Sequence, residues 1–307
     1  MHPLRLLTPL FLLAALAHAD VAPKKILFFS KSSLYEHAVV RDPALPFTPK
    51  PGNAIPGLAM QVLADLGAKH GFAFTFSKDG SRFNPRYLAQ FDALFFYTTG
   101  DLTESGTDGN PTMTAAGKRA FLDAIRQGKG FIGVHSASDT FHSPGNKEHG
   151  PARYQEDGDK ADPYIKMIGG EFIMHGQQQP SHLIAADPRF PGVAGLAGSA
   201  RTEEWYSLKN FAPDLHVLLV QDTAGMTGVP YARPNYPSTW IHRHGRGRVF
   251  YTNLGHRDDV WRSAAYQALL LSALNWTTHR AEADLTPNLA KVAPQAAILP
   301  KFIAPAP

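Results

Sequence analysis

Cysteine is absent from all 307 residues. That excludes a disulfide framework, thiolate ligation of a metal, and a cysteine nucleophile. Charge is sparse and nearly balanced, with 30 Lys and Arg against 26 Asp and Glu. No basic run longer than Lys24-Lys25 occurs outside the Arg246/Arg248 turn, so the chain carries no nucleic-acid footprint. P-loop and GxGxxG motifs are missing, as is any internal repeat, which argues against nucleotide and dinucleotide binding. Long apolar runs are missing too, except near the start. There Arg5 precedes an apolar stretch from Leu6 to Leu16, too short to span a bilayer, and Ala17-His-Ala19 follows as a small-x-small cleavage site. Residues 1–19 therefore read as a signal peptide cleaved before Asp20. The expectation is a periplasmic or secreted protein with no membrane span after signal removal.

What remains is 288 residues with a net charge of +3 once Arg5 is gone. Lys24 to Ser30 is a continuous apolar run closing on small polar residues, as in a strand buried on both faces. A proline-rich loop follows, with prolines at 43, 46, 49, 51 and 56. Pro56 opens a helix with Leu58, Val62, Leu63 and Leu66 at helical spacing, closed by Gly71. Strands are expected at 72–76, 92–99 and 130–135, with a short helix at Asn84-Pro85 and a longer one from Thr114 to Gly128. Strand and helix in alternation predict right-handed crossovers and a mainly parallel sheet flanked by helices.

Residues 142–162 show no periodicity and read as a mobile loop, a candidate lid. A helix from Asp162-Pro163 ends at Gly169-Gly170, and strand-like pieces follow at 183–186, 204–208 and 216–221. Residues 239–243 and 248–254 flank Gly245-Arg-Gly247 as a hairpin, and 259–276 reads as one last helix. The division is signal peptide 1–19, one α/β domain 20–280, and a Pro- and Ala-rich tail 281–307, draped or frayed.

Three segments place aromatics and histidines where a plain core would use aliphatics. They are Gly133-Val-His-Ser-Ala-Ser-Asp139, Glu204-Trp-Tyr206, and Trp240-Ile-His-Arg-His244 with Arg248-Val-Phe-Tyr-Thr-Asn-Leu-Gly-His256. Each stands at the end of a strand-like stretch, where a parallel sheet opens its ligand crevice. His135 is an acid–base group or a strand-end histidine bonded to a loop carbonyl. Asp139 is its orienting carboxylate or a helix N-cap. Glu204 followed by two aromatics suits a sugar, whose ring faces stack and whose hydroxyls bond to the acid. Strand alternation turns Glu203 the other way and puts Trp240, His242 and His244 on one face. His175 opens a glutamine-rich loop. His37, His135, His242 and His256 lack zincin spacing, but gathered at one sheet edge they would suit zinc or a similar divalent ion. The metal-free alternative is a His/Asp acid–base pair.

Together these segments resemble the ThuA-like (trehalose-utilisation) family over roughly Lys24 to Trp276. The resemblance implies a class I glutamine amidotransferase-like fold, flavodoxin-like and three-layered, with added β segments in the C-terminal half. Amidotransferase activity does not come with it, because the cysteine is missing. It also implies a keto-glycoside or related saccharide as substrate, with a sugar oxidoreductase acting upstream as a partner. On that reading His135 is the base, oriented by Asp139, while His242 or His256 polarises the ketone directly or through a metal. Glu204 and Trp205 hold the ring, and His37, His175, Tyr206 and Trp240 line the substrate site. Two other readings stay open. One is a non-catalytic carbohydrate-binding protein on the same fold. The other is a hydrolase using Ser136 or Ser138, although the segment is not a Gly-x-Ser-x-Gly elbow.

Overall fold

The computed structural model describes residues 22–46, 48, 52, 55–147 and 149–304. The signal-peptide segment with its cleavage site, and Pro49 and Pro51 of the proline-rich loop, lie outside the described residues. Strands in chain order are β1 (Lys24–Phe29), β2 (Phe72–Ser77), β3 (Ala93–Phe96), β4 (Gly130–Val134), β5 (Glu171–His175) and β6 (Gln179–Ser181). Then come β7 (Leu183–Ala185), β8 (Arg201–Glu203), β9 (Tyr206–Lys209), β10 (His216–Gln221), β11 (Tyr236–His244) and β12 (Gly247–Thr252). Helices are α1 (Leu58–His70), α2 (Pro85–Leu88), α3 (Ala115–Arg126), α4 (Pro163–Ile168), α5 (Val193–Leu196), α6 (Asp258–Arg262), α7 (Ala264–Thr277) and α8 (Leu289–Val292).

Eight strands form the main sheet in the order β2-β1-β3-β4-β12-β11-β10-β7. The first five run parallel, as the alternation of strand and helix requires, and β11, β10 and β7 extend the sheet antiparallel. The parallel strands read as unbroken apolar runs because helices cover both of their faces. On one face Phe28, Phe95, Ile132 and Phe250 pack under α1, α6 and α7. On the other Phe29, Phe96, Phe131 and Val249 pack under α2, α3 and α4. Local signals set the helix ends: the Thr114 hydroxyl accepts from Gly117 N at 2.9 Å, and Gly71 closes α1 at φ +71°. This is the three-layer α/β architecture expected from the pattern.

Three local expectations change. The strand predicted over 204–208 starts two residues later, as β9 paired with β5; Glu204-Trp205 link it to β8, which precedes the predicted span and pairs with β6 in another small sheet. The last helix is broken at Ser263, whose hydroxyl caps α7 by accepting from Tyr266 N at 3.2 Å. Residues 142–162 hold two 3-10 turns and bury His142, Ser143, Asn146 and Arg153. His142 and Arg153 are turned inward and paired, whereas Lys147, Glu156, Asp159 and Lys160 stay exposed. After Thr286, Asn288 bridges the backbone of Val217 on β10, accepting at 2.7 Å and donating at 3.0 Å, and Ala293 and Ala296 are buried against the sheet.

Candidate functional site

The carboxyl ends of β1, β4 and β12 open on one edge of the sheet, with β3 between β1 and β4, and each delivers a histidine to one point. His37 follows β1 through the loop from Ser30. His135 follows β4 and opens a 3-10 turn at φ +48°, a left-handed conformation that costs a non-glycine residue energy and marks functional sites. Tyr251 Oη and Ser138 Oγ donate to the His135 carbonyl at 2.8 and 3.2 Å and hold it there. His256 comes after β12 by way of Gly255, whose φ is +126°. A Cβ on Gly255 would stand 2.8 Å from both Tyr266 Oη and Val134 Cγ1, so only glycine lets this turn approach β4.

The three imidazoles form a nearly equilateral triangle. Their centroids are 5.0 Å (His37–His135), 5.2 Å (His37–His256) and 5.3 Å (His135–His256) apart, all edge-to-face. Glu204, at the turn between β8 and β9, puts Oε2 into the triangle at 3.0 Å from His256 Nδ1, 3.4 Å from His135 Nε2 and 3.9 Å from His37 Nε2. Its other oxygen faces His175 Nδ1 at 3.5 Å. One ligand atom from each of His37, His135, Glu204 and His256 lies within 4.8 Å of the other three.

The Asn253 carbonyl only accepts, so His135 Nδ1, 2.9 Å away, carries a proton and donates it. In the neutral ring Nε2 is then a lone pair, buried, without a hydrogen-bond partner, and aimed at a carboxylate oxygen. Burial by itself would raise Glu204, but its bonds to His135, His256 and His37 outweigh that and hold the carboxyl far below the usual range. Burial lowers His37 to about 3, against the opposing pull of Glu204, so this ring is a neutral donor at neutral pH. His256 is raised, because its contact with Glu204 overcomes burial. Three nitrogens and one carboxylate oxygen fit a borderline divalent ion such as zinc, with the His135 ring proton given to the Asn253 carbonyl.

Around this centre stand groups that fix it. Glu203 is fully buried, and burial raises its carboxyl. Its Oε1 accepts from the backbone N–H groups of Gly255 and His256 at 2.6 and 2.7 Å, and its Oε2 from Glu204 N at 3.3 Å. It therefore pins two members of the cluster. Tyr206 lays its ring 4.1 Å from His135 and brings its hydroxyl 3.5 Å from His37 Nε2. Asn253 holds Tyr206 in turn, accepting from its N–H at 3.2 Å and donating to its carbonyl at 3.0 Å.

Other sequence candidates lie elsewhere. His242 pairs with Val249, which pairs with Phe131 near the amino end of β4, so it sits at the opposite end of the sheet. The reason is direction: β11 is the antiparallel arm of its hairpin and carries its last residues away from the crevice. His242 Nε2 donates to the Met167 carbonyl at 2.9 Å, and Asp214 stands 3.5 Å from Nδ1. Trp240 is fully buried, donating to the Ile168 carbonyl and packing 4.4 Å from Tyr251. Trp205 is also fully buried, bonded to the Gln179 carbonyl. Asp139 does not bond to His135; its Oδ1 is 2.7 Å from His142 Nε2. Ser138 spends its hydroxyl on the His135 turn and Tyr251. Sequence reasoning missed Asn253, His142 and Glu171, and it set Glu203 aside by an alternation that ends at the Glu204 turn. The Asn-Leu-Gly-His run was the only available signal for Asn253.

The family model for trehalose utilisation, ThuA, matches residues 54–277. The chain belongs to the ThuA family. The family's link is to trehalose utilisation and hence to sugar metabolism. Solved ThuA-like structures share the fold. A putative ThuA-like protein from Bacteroides uniformis ATCC 8492 superposes with a TM-score of 0.55 at 18% identity, covering 86% of this chain and 95% of that one. A second, from Parabacteroides merdae ATCC 43184, gives 0.52 at 16% identity over 91% and 98%. Among curated proteins none matches the chain. His135, Glu204 and His256 fall inside the ThuA match, whereas His37 precedes it.

Proposed function

We propose that this ThuA-family chain is an exported sugar-processing enzyme that acts on a keto-glycoside or related saccharide, with His37, His135, His256 and Glu204 holding a divalent ion, zinc or similar. The observation that carries the proposal is the convergence of three buried imidazoles and one carboxylate at the carboxyl edge of a parallel sheet. A binding module needs aromatics and amides, and it gains nothing from three buried histidines gathered round one carboxylate. When bound, such an ion supplies a Lewis acid for a carbonyl or hydroxyl oxygen.

The chain's own groups suit acid–base chemistry beside it. In a 3-keto glycoside the ketone acidifies the hydrogen at C2. Loss of that proton forms the enolate; the C1–O bond then breaks with its electron pair on the leaving oxygen, which takes up a proton. His175 is 42% exposed and next to Glu204, which places an imidazole at the mouth to accept the C2 proton. His135 holds the centre rather than acting as the free base, because one of its nitrogens is spent on Asn253 and the other is directed inward. The upstream partner on this reading is a sugar oxidoreductase that makes the ketone.

The test is proton NMR of trehalose and of 3-keto-trehalose in D2O with purified mature protein. Exchange at C2 or loss of the anomeric signal is expected with the keto sugar alone, and abolished in Glu204→Gln. Binding without turnover would leave a carbohydrate-binding protein instead. Export has its own check: the mature N-terminus is expected near Asp20, and a mature protein starting at Met1 would contradict it.

A further inference from the structure

We infer that the mouth of the histidine cluster carries a built saccharide subsite, with Tyr35 as the platform for a sugar ring and Asp139 as the acceptor for its hydroxyls. The inference rests on the sugar reading above but not on its chemistry. Tyr35 and Asp139 are tied to successive residues just beyond β3. Thr99 Oγ1 donates to the Tyr35 carbonyl at 2.9 Å, and Gly100 N donates to the Asp139 carbonyl at 2.7 Å. Both therefore flank the same crevice, Tyr35 beside His37 at 4.9 Å between ring centroids, and Asp139 at the far end of the turn that His135 begins.

Tyr35 is 51% exposed and its neighbour Leu34 43%, although the backbone beneath them is fixed to Thr99 and to the Thr107 hydroxyl. A held backbone that turns an aromatic outward beside a polar centre suits a pyranose ring, which has one apolar face to cover.

Asp139 is the complementary part. It is only 8% exposed and is held by a buried ionic chain. His142 Nε2 reaches its Oδ1 at 2.7 Å, and Arg153 Nη1 stands 3.9 Å from the same oxygen. Behind them His142 Nδ1 meets Glu171 Oε1 at 3.1 Å, and Glu171 is further bonded by Ser143 and Asn210. Both contacts to Asp139 fall on Oδ1, and among the described residues Oδ2 has none. A carboxylate with a fixed orientation accepts a hydroxyl without first paying side-chain entropy.

The experiment is calorimetric titration of the mature holoprotein with trehalose and with 3-keto-trehalose, comparing wild type, Tyr35→Ala, Tyr35→Phe and Asp139→Asn. Tyr35→Ala and Asp139→Asn are expected to weaken binding by about tenfold or more, with metal content unchanged, and Tyr35→Phe to bind like wild type. Tyr35 is exposed, so its variants fold whatever becomes of Asp139→Asn. Wild-type affinity in both weakened variants would overturn the subsite. Failure of the wild type to bind either sugar would overturn it together with the sugar reading. Tight binding lost in both variants, but with no turnover of the keto sugar, would keep the subsite and discard the chemistry.

Discussion

At the residue scale, the working unit is four side chains from four separate segments, and their partners decide which of the chain's histidines matter. His135 and His256 face Glu204, while His242 faces a backbone carbonyl at the other end of the sheet. His242→Gln is therefore expected to leave keto-sugar turnover within a few-fold of wild type, whereas His256→Gln abolishes it; equal losses measured by NMR would remove the distinction. Glu203 acts one step back. Replacing it by Gln keeps its shape but weakens its hold on the Gly255 and His256 N–H groups, and a drop of about 10–100-fold in metal affinity is expected. Residue types were legible in the sequence: Glu204-Trp-Tyr and the closing Gly-His each pointed to the site. The partners were not, because the Asn253 carbonyl and the Glu203 carboxylate act through backbone groups that no side-chain pattern records.

At the element scale, legibility followed periodicity. Unbroken apolar strands and α3 with its Thr114 cap declare themselves, since burial on two faces and helical spacing are properties of the sequence. Two features depend on tertiary pairing and stayed hidden. The first is which arm of the hairpin joins the parallel strands: β12 does, so β11 runs against them and sends His242 away from the crevice; the second is that a strand-like stretch breaks at Glu204. Residues 142–162 were misjudged for a related reason. Their charges look solvated in sequence, but His142 pairs inside with Asp139 and Glu171.

That pairing gives the loop a pH signature. Hydrogen bonds that His142 donates to both carboxylates overcome burial and raise it, so its contribution to stability is whole below 6.5 and fades as pH rises through the raised value. For Glu171, bonds from His142 and Ser143 overcome burial and lower the carboxyl to about 2, so its contribution is whole above 4.5 and fades as pH falls through about 2. The groups around His142 that set this balance are Asp139, Glu171 and Arg153, with Lys209 beyond Glu171. The melting-temperature gap between wild type and His142→Gln is expected to be widest between about pH 4.5 and 6.5 and to narrow on the alkaline side. A gap that stays constant to pH 9 would contradict a charged His142.

At the scale of the whole molecule, one edge of a three-layer sheet collects everything the chemistry needs. Parallel strands end there together, which is why residues far apart in the chain meet without any local motif. The ThuA fold brings β1, β4 and β12 to that edge, and the turn between β8 and β9 closes it with Glu204. Among the described residues no helix is long and apolar enough to cross a membrane. Gly255 is where the architecture is least forgiving. Gly255→Ala is expected to cost about 1–3 kcal/mol in stability for its strained φ, and more from the contacts with Tyr266 and Val134, read as a lower denaturant midpoint.

The central claim is that His37, His135, His256 and Glu204 hold one cation. Elemental analysis of untagged mature protein, purified without chelator, tests it most directly. The account predicts close to one equivalent of a divalent transition ion in the wild type and well under a tenth of that in Glu204→Gln. Wild-type protein that contains no such metal, and takes up none when zinc, manganese or iron is supplied, would contradict it.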